Sequence, residues 1–152
     1  MECIKRNIVR SLSLWGVLLI GAPVASAASA PPLTHVQVLK VQSAPCGIEN
    51  IAEGQEQTKC DHGGASIKVY VLEVGYGRVP TVGIDGFTVE GTQAKVCAND
   101  NGNLTECTGT SRTIVGTLYI FDLGGRQGGT FTFSNTSINA PGNTLSTQLY
   151  IK

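Results

Sequence analysis

Tryptophan, histidine and excess charge are scarce in this sequence. It contains one tryptophan, Trp15, two histidines, His35 and His62, and equal numbers of basic and acidic residues. Without net positive charge or a basic cluster, the chain cannot neutralise many phosphates, which argues against a nucleic-acid-binding protein. The two histidines also lie in no spacing typical of a zinc site. We therefore expect no metal and no other cofactor.

Helical periodicity is missing as well. After residue 27, no stretch repeats apolar residues every 3.6 positions, and 17 glycines separate short runs rich in β-branched residues. This pattern predicts an all-β fold, a single antiparallel β-sandwich (Ig-like or related) of seven or eight strands. The candidate strands are residues 35–41, 66–74, 81–85, 87–90, 94–98, 113–121, 130–134 and 145–151.

Two of these segments carry apolar residues on both faces and are predicted to be central strands. They are residues 66–74 and 113–121, whereas residues 145–151 alternate apolar and polar positions, as in a sheet with one wet face. The apolar phase of the first candidate strand breaks after Val38, which predicts a β-bulge there. A turn of helix is expected around residues 48–53.

The one long apolar run lies near the N-terminus. Lys5, Arg6 and Arg10 precede the apolar residues 12–24, and small residues close the run. This order is typical of a secretory signal, and the run is too short for a membrane-spanning helix, which needs about 20 apolar residues. We interpret residues 1–27 as a cleaved signal peptide.

Cleavage before Ala28 leaves one secreted domain, residues 28–152, in the extracellular or periplasmic space. Loss of Glu2 and of the three basic residues named above reduces 11 acidic and 11 basic residues to 10 and 8. We expect no stable membrane insertion after cleavage, and a monomer.

Four cysteines remain in that domain, Cys46, Cys60, Cys97 and Cys107. An even number in an oxidising compartment favours two disulfides over a zinc site, with three possible pairings. Local pairing, Cys46 with Cys60 and Cys97 with Cys107, is preferred because each pair brackets a polar segment containing glycine. If Cys97 faces Cys107 across a hairpin, the loop is odd in length and centred on Gly102.

The densest run of chemically active residue types is Cys60-Asp61-His62-Gly63-Gly64. An acid and an imidazole at a strand entrance could orient a base or, with further carboxylates, hold a metal. Asp and Gly are also common turn formers, so the run is equally consistent with a turn that leads the chain from a disulfide into a strand. Both interpretations remain open from the sequence.

A second candidate follows the strand at residues 66–74. Tyr76 and Arg78 flank a glycine there, and both residue types are enriched in interface hot spots. Tyr76 could equally cover an edge of the sandwich. The run at residues 99–103 is similar to an oxygen-rich calcium loop, but a hairpin tip explains it better because the bidentate glutamate is missing.

Several fragments together resemble the YolA-like family of small exported bacterial proteins. They are Pro45-Cys46-Gly47-Ile48-Glu49, Thr58 with Asp61-His62-Gly63-Gly64, Gly75-Tyr76-Gly77, Thr113-Ile114-Val115-Gly116 and Gly129-Thr130-Phe131. The resemblance covers residues 33–152 and implies export and a shared fold. It implies no activity and no site.

These observations lead to a functional expectation. The chain is predicted to be a secreted, non-enzymatic binding or effector domain that recognises a protein or glycan at a cell surface through its loops, with Asp61, His62, Tyr76 and Arg78 as candidate binding residues. The lack of tryptophan in residues 28–152 weighs against the glycan. The alternative is a small extracellular hydrolase or metal-dependent enzyme centred on Asp61 and His62.

Overall fold

A computed structural model of the protein describes residues 30–108 and 113–152. The predicted signal peptide lies outside these residues. The described part contains ten strands and no helix: β1 (His35–Ser43), β2 (Gly47–Asn50), β3 (Ile67–Val74), β4 (Thr81–Ile84), β5 (Phe87–Thr88), β6 (Gly91–Ala98), β7 (Leu104–Glu106), β8 (Ile114–Asp122), β9 (Gly129–Thr136) and β10 (Thr144–Ile151). Over those residues, no helix is long and apolar enough to cross a membrane.

The strands form two antiparallel sheets, which confirms the predicted all-β sandwich. One sheet has the order β2-β1-β3-β8-β6-β7 and the other β10-β9-β4-β5. The strands β3 and β8 are central, as their two apolar faces predict, and β10 is an edge strand. The count of strands exceeds the prediction because the short edge strands β2 and β7 were not expected.

Side chains from both sheets fill one core. Ile67, Val69 and Val71 point inward from β3, and Leu149 and Ile151 point inward from β10. Four aromatic rings, the aromatic cluster, pack among them. They are those of Tyr119, Phe121, Phe131 and Phe133, with centroids 5.3 Å apart for Tyr119 and Phe133 and 5.6 Å apart for Phe121 and Phe131.

The first strand contains the predicted bulge. Its pairing with β3 shifts register between Val38 and Lys40. The extra residue, Leu39, restores the inward phase, so that both Val38 and Val41 are buried.

The prediction of helix around residues 48–53 is wrong. Residues Gly47–Asn50 form β2, which pairs with β1 in the register Ser43 to Gly47 and Val41 to Glu49. The exposed edge of β1 offers this segment a hydrogen-bonding partner, and pairing outweighs the weak local preference for a helical turn.

Both local disulfides are confirmed, Cys46 with Cys60 and Cys97 with Cys107. The predicted centre of the second hairpin is wrong by one residue. Cys97 lies opposite Thr105, so the three-residue loop is centred on Asn101 and the disulfide runs diagonally, with Cα atoms 5.0 Å apart. Gly102 has φ of 78° and occupies the last loop position, where three-residue hairpin loops place their left-handed residue.

Candidate functional site

The four candidate binding residues lie at two different places in the fold. Asp61 and His62 precede β3, whereas Tyr76 and Arg78 follow it. The eight residues of β3 span about 25 Å at 3.3 Å per residue. The structure therefore brings the four residues together as two pairs, at opposite ends of one central strand, and not as a single site.

At the first end, the His62 ring is fully buried between two polar partners. Its Nδ1 lies 2.8 Å from Ser43 Oγ, and its Nε2 lies 3.2 Å from Glu49 Oε2. Asp61 takes no part in this, because its exposed carboxylate accepts the Gly63 N–H at 3.0 Å in a local turn. The partners of His62 are thus a serine and a glutamate that the sequence did not single out.

A serine, a histidine and a glutamate in a row are the components of a nucleophile activated by a base. Here the serine is 5% exposed and its Oγ also lies 3.4 Å from the Cys46 N–H. A substrate carbonyl must reach a nucleophile to within about 3 to 3.5 Å, but the buried Ser43 hydroxyl already contacts His62 and the Cys46 amide. The arrangement binds β1 to the entrance of β3.

Glu49 is the centre of this network. Its Oε1 accepts the Lys59 N–H at 2.8 Å, and its Oε2 accepts the Cys60 N–H at 3.0 Å. Gln55 Nε2 donates to Oε1 as well, at 3.0 Å. Desolvation by burial raises the pKa of this carboxyl, but the four hydrogen bonds, including that of His62, outweigh it and lower the pKa to about 2.

The same loop is fastened to the C-terminal strand. Thr58 N–H donates to the Tyr150 carbonyl at 2.9 Å, and the Lys152 N–H donates to Thr58 Oγ1 at 3.0 Å. The His62 N–H donates to the Lys152 carbonyl at 2.6 Å. We call residues 46–62, closed by the Cys46–Cys60 disulfide, the stapled loop. The side chains of Glu49, Thr58 and His62 within it are all hydrogen-bonded inside the protein.

At the other end of β3, a cleft of about 760 Å³ opens between the two sheets. Its floor comes from β3 and β8, its walls from β4, from β6 and from the loop that follows β3. One sheet has six strands and the other four, β5 has only two residues, and the first three residues of β6 are exposed. Tyr76, Arg78 and Val79 lie on the rim, together with Glu90 and Lys95 of the opposite wall.

Glu73 lies at the floor of this cleft and is 2% exposed. Its Oε2 accepts from Asn135 Nδ2 at 2.6 Å, and its Oε1 accepts from the Gly77 N–H at 3.2 Å. A side chain at Gly77 would overlap the Asn135 carboxamide, so glycine at this position allows Asn135 to contact Glu73. Desolvation by burial exceeds these two hydrogen bonds and raises the pKa of Glu73.

Two tyrosines border this carboxylate. Burial and the charge of Glu73 raise the pKa of Tyr119 to about 12. Tyr76 is half-buried, and its hydroxyl donates to the Ile114 carbonyl at 3.3 Å, which fixes the ring against β8. The exposed Arg78 is held through its backbone, since its N–H donates to the Thr136 carbonyl and its carbonyl accepts from Asn135.

One family model matches the chain, described as a domain of unknown function (DUF4879), over residues 22–151. The chain belongs to this family. A search of curated proteins finds no match. The DUF4879 family model covers both ends of β3, the stapled loop and the cleft alike.

Within residues 30–108 and 113–152, no group of three or more His, Cys, Asp or Glu side chains is placed to hold a metal ion. The run at residues 99–103 forms a hairpin loop in which the Asn99 carboxamide accepts the N–H groups of Asn101 and Asn103. The side-chain oxygen of Asn99 thus stabilises the turn.

Proposed function

We propose that this chain is an exported, non-enzymatic binding domain that acts as a monomer and holds a segment of a partner protein in the cleft. The observation that carries the proposal is the cleft itself, about 760 Å³ in volume, with Tyr76 and Arg78 on its rim. Tyrosine and arginine are the residues that most often supply binding energy at protein interfaces. A cavity of this size is also in the range of known ligand sites.

Two observations support export. Disulfides form and persist in oxidising compartments, and this domain has two. The basic residues, apolar run and small residues at the N-terminus follow the order of a secretory signal. Kinship with the YolA-like proteins belongs to the same proposal and rests on the sequence fragments that the two share.

A protein partner is favoured over a glycan. Sugars stack on open aromatic faces, but Tyr119 is 9% exposed and Tyr76 is half-buried with its hydroxyl engaged. The rim instead offers charged and apolar groups side by side, Arg78 next to Val79 and Lys95 across from them. That mixture suits a polypeptide segment.

Site-specific photo-crosslinking tests the proposal. A photoreactive phenylalanine analogue replaces Val79, which is 91% exposed on the rim, or Ile48, which is 57% exposed at the stapled loop. When the protein is added to cells, we expect their surface proteins to crosslink at position 79 and not at position 48. The Arg78→Ala substitution should reduce the crosslinking yield at position 79 at least about threefold. Crosslinked partners are identified by mass spectrometry.

Equal yields at the two positions, or none at position 79, would overturn the assignment of the cleft. The same holds if Arg78→Ala leaves the yield unchanged while Lys59→Ala, an exposed lysine on the stapled loop, reduces it.

A small hydrolase is the second candidate function, because Ser43, His62 and Glu49 are joined by hydrogen bonds. The burial of Ser43 argues against it. A fluorophosphonate probe, which labels activated serines, is expected to leave the folded protein unlabelled. Labelling that maps to Ser43 and disappears in Ser43→Ala would establish the hydrolase instead.

A further inference from the structure

Glu73 is a buried carboxylate without a cation. Over residues 30–108 and 113–152, the one ion pair is that of His62 with Glu49, at the other end of β3. A buried charge normally has an ionic partner, because its removal from water costs several kcal/mol. Glu73 has only two neutral donors, Asn135 and Gly77, and an open cleft in front of it.

We infer that the cleft binds an ammonium or guanidinium group, which forms an ion pair with Glu73. This inference rests on the proposed function and names the chemistry of its ligand, a lysine or arginine side chain on the partner protein.

The geometry of the carboxylate allows this contact. Each oxygen of Glu73 accepts one hydrogen bond within the protein, and a carboxylate oxygen can accept two. Glu73 is only 2% exposed but is one of the residues that line the cleft, which is therefore the side from which we expect a donor to approach. The attraction is strong at such a place, since the surroundings are poorly solvated.

The rest of the cleft suits a long side chain with a charged end. The walls include Val82 and Phe121, which can pack against the methylene groups of such a side chain. Charges on the rim have mixed signs, Arg78 and Lys95 against Glu90, and water screens them. The unscreened charge at the floor therefore decides the preference.

An anionic or neutral ligand is disfavoured by the same observations. An anion would add a second negative charge beside Glu73, and a neutral group would leave the carboxylate without compensation. The inference thus predicts that, between two ligands of similar shape, the cleft binds the positively charged one more tightly.

The test uses nuclear magnetic resonance on the intact, disulfide-bonded protein. The probes are acetyl-lysine amide and acetyl-arginine amide, blocked at the α-nitrogen, with the ε-acetylated lysine amide and acetyl-norleucine amide as uncharged controls. We expect saturable shifts at the Glu73 side-chain carboxyl carbon and at the Gly77 amide. Affinity for the charged probes should exceed that for the uncharged ones at least about tenfold.

Substitution of the carboxylate gives the second arm. Glu73→Gln is expected to abolish the preference for charge, and Glu90→Gln, which removes an exposed carboxylate on the same cleft, to change affinity less than about twofold.

Because Glu73→Gln could disturb Gly77 and Asn135, a pH series on the unchanged protein is measured too. Protonation of Glu73 neutralises it, so affinity for the charged probes should fall as pH is lowered through the pKa of Glu73.

The titratable or charged groups around Glu73 in that series are Tyr119 on β8, Arg78 in the loop after β3, and Glu90 and Lys95 on the opposite wall. If the Glu90→Gln variant loses affinity for the charged probes at low pH in the same way as the unchanged protein, the pH dependence is assigned to Glu73. If Glu90→Gln removes the pH dependence, the ion pair is not with Glu73 and the inference fails.

The outcomes also separate this inference from the proposed function. Equal affinity for charged and uncharged probes overturns the ion pair, while crosslinking at position 79 keeps the binding cleft. Charge-selective binding without any crosslink at position 79 keeps the ion pair and overturns the protein partner.

Discussion

A largely buried glutamate lies near each end of β3, and the pKa values of the two are shifted in opposite directions. At the stapled loop, Glu49 accepts four hydrogen bonds, and its pKa falls to about 2. At the cleft, Glu73 accepts two, and burial raises its pKa. The fold stabilises the ionised form of Glu49, whereas burial destabilises the ionised form of Glu73.

The difference between the two glutamates distinguishes a region that is stabilised by its own contacts from one that a ligand can complete. Buried polar groups whose partners are all internal make a region rigid and leave nothing for a ligand to satisfy. A buried charge with incomplete partners next to an open cavity is the arrangement that a ligand can complete. By this criterion the cleft, and not the dense run around His62, is the end of the domain that we propose to bind a partner.

The comparison is tested most severely by replacing His62 with alanine. The substitution leaves a cavity and removes one partner from each of Ser43 and Glu49, so the free energy of unfolding should fall by about 4 kcal/mol. Urea denaturation at pH 7 measures it. His35→Ala, the control at a half-buried histidine on β1, should lose less than about 1 kcal/mol. Similar losses for the two variants would refute the structural role of His62.

Opening the stapled loop should have the next largest effect. The pair of substitutions Cys46→Ala and Cys60→Ala removes a link between residues 14 positions apart and should cost about 3 kcal/mol. It should also speed hydrogen exchange at the Lys59 and Cys60 amides, which donate to Glu49. The matched control, Cys97→Ala with Cys107→Ala, should leave exchange at these two amides unchanged, and acceleration in both variants would contradict the prediction.

A smaller effect is expected when each glutamate becomes glutamine. Glu49→Gln weakens four hydrogen bonds to a charge and should lower the free energy of unfolding by about 2 kcal/mol at pH 7. Glu73→Gln removes a poorly solvated charge but gives up an acceptor, so the two effects oppose each other and the change should stay within about 1 kcal/mol. Equal changes, measured by urea denaturation, would remove the contrast between the two ends.

A further contrast between the two glutamates lies in the pH dependence of stability. The contribution of Glu49 is complete above the ordinary pKa of 4.5 and is lost as pH falls through about 2. The raised pKa of Glu73 acts in the opposite direction, favouring the folded state below pH 4.5 and losing that contribution as pH rises through the folded-state pKa.

Urea denaturation between pH 2 and 7 measures both contributions. Glu49→Gln should flatten the loss of stability towards acid pH, and Glu73→Gln should steepen it. Identical profiles in the two variants would mean that neither carboxyl is perturbed as described.

The fold was predictable because its signals are local. Alternation of apolar residues identified β3 and β8 as central strands, and the broken phase after Val38 located the bulge. The pairing of each cysteine with its nearer neighbour needed only short polar loops between them. The edge strands β2 and β7 were missed because short segments become strands through a neighbour and not through their own composition.

The candidate sites were only partly predictable. Ser43 and Glu49 could not be linked to His62 from the sequence, since the contact depends on β1–β2 pairing and on the path of the stapled loop. Glu73, in contrast, left a signal. It continues the inward series Ile67, Val69 and Val71, and a carboxylate in that phase of a central strand indicates a buried charge. Tyr76 and Arg78 proved to border the cleft, although the space between the sheets is not visible in the sequence.

The aromatic cluster gives this domain a spectroscopic signature. Valine and isoleucine methyl groups packed among the rings of Tyr119, Phe121, Phe131 and Phe133 experience strong ring currents, which move their proton resonances to high field. The domain that we propose to remain after cleavage, residues 28–152, lacks Trp15 and contains no other tryptophan, so its fluorescence comes from tyrosine. High-field methyl signals are therefore the direct record of whether a variant has kept its core.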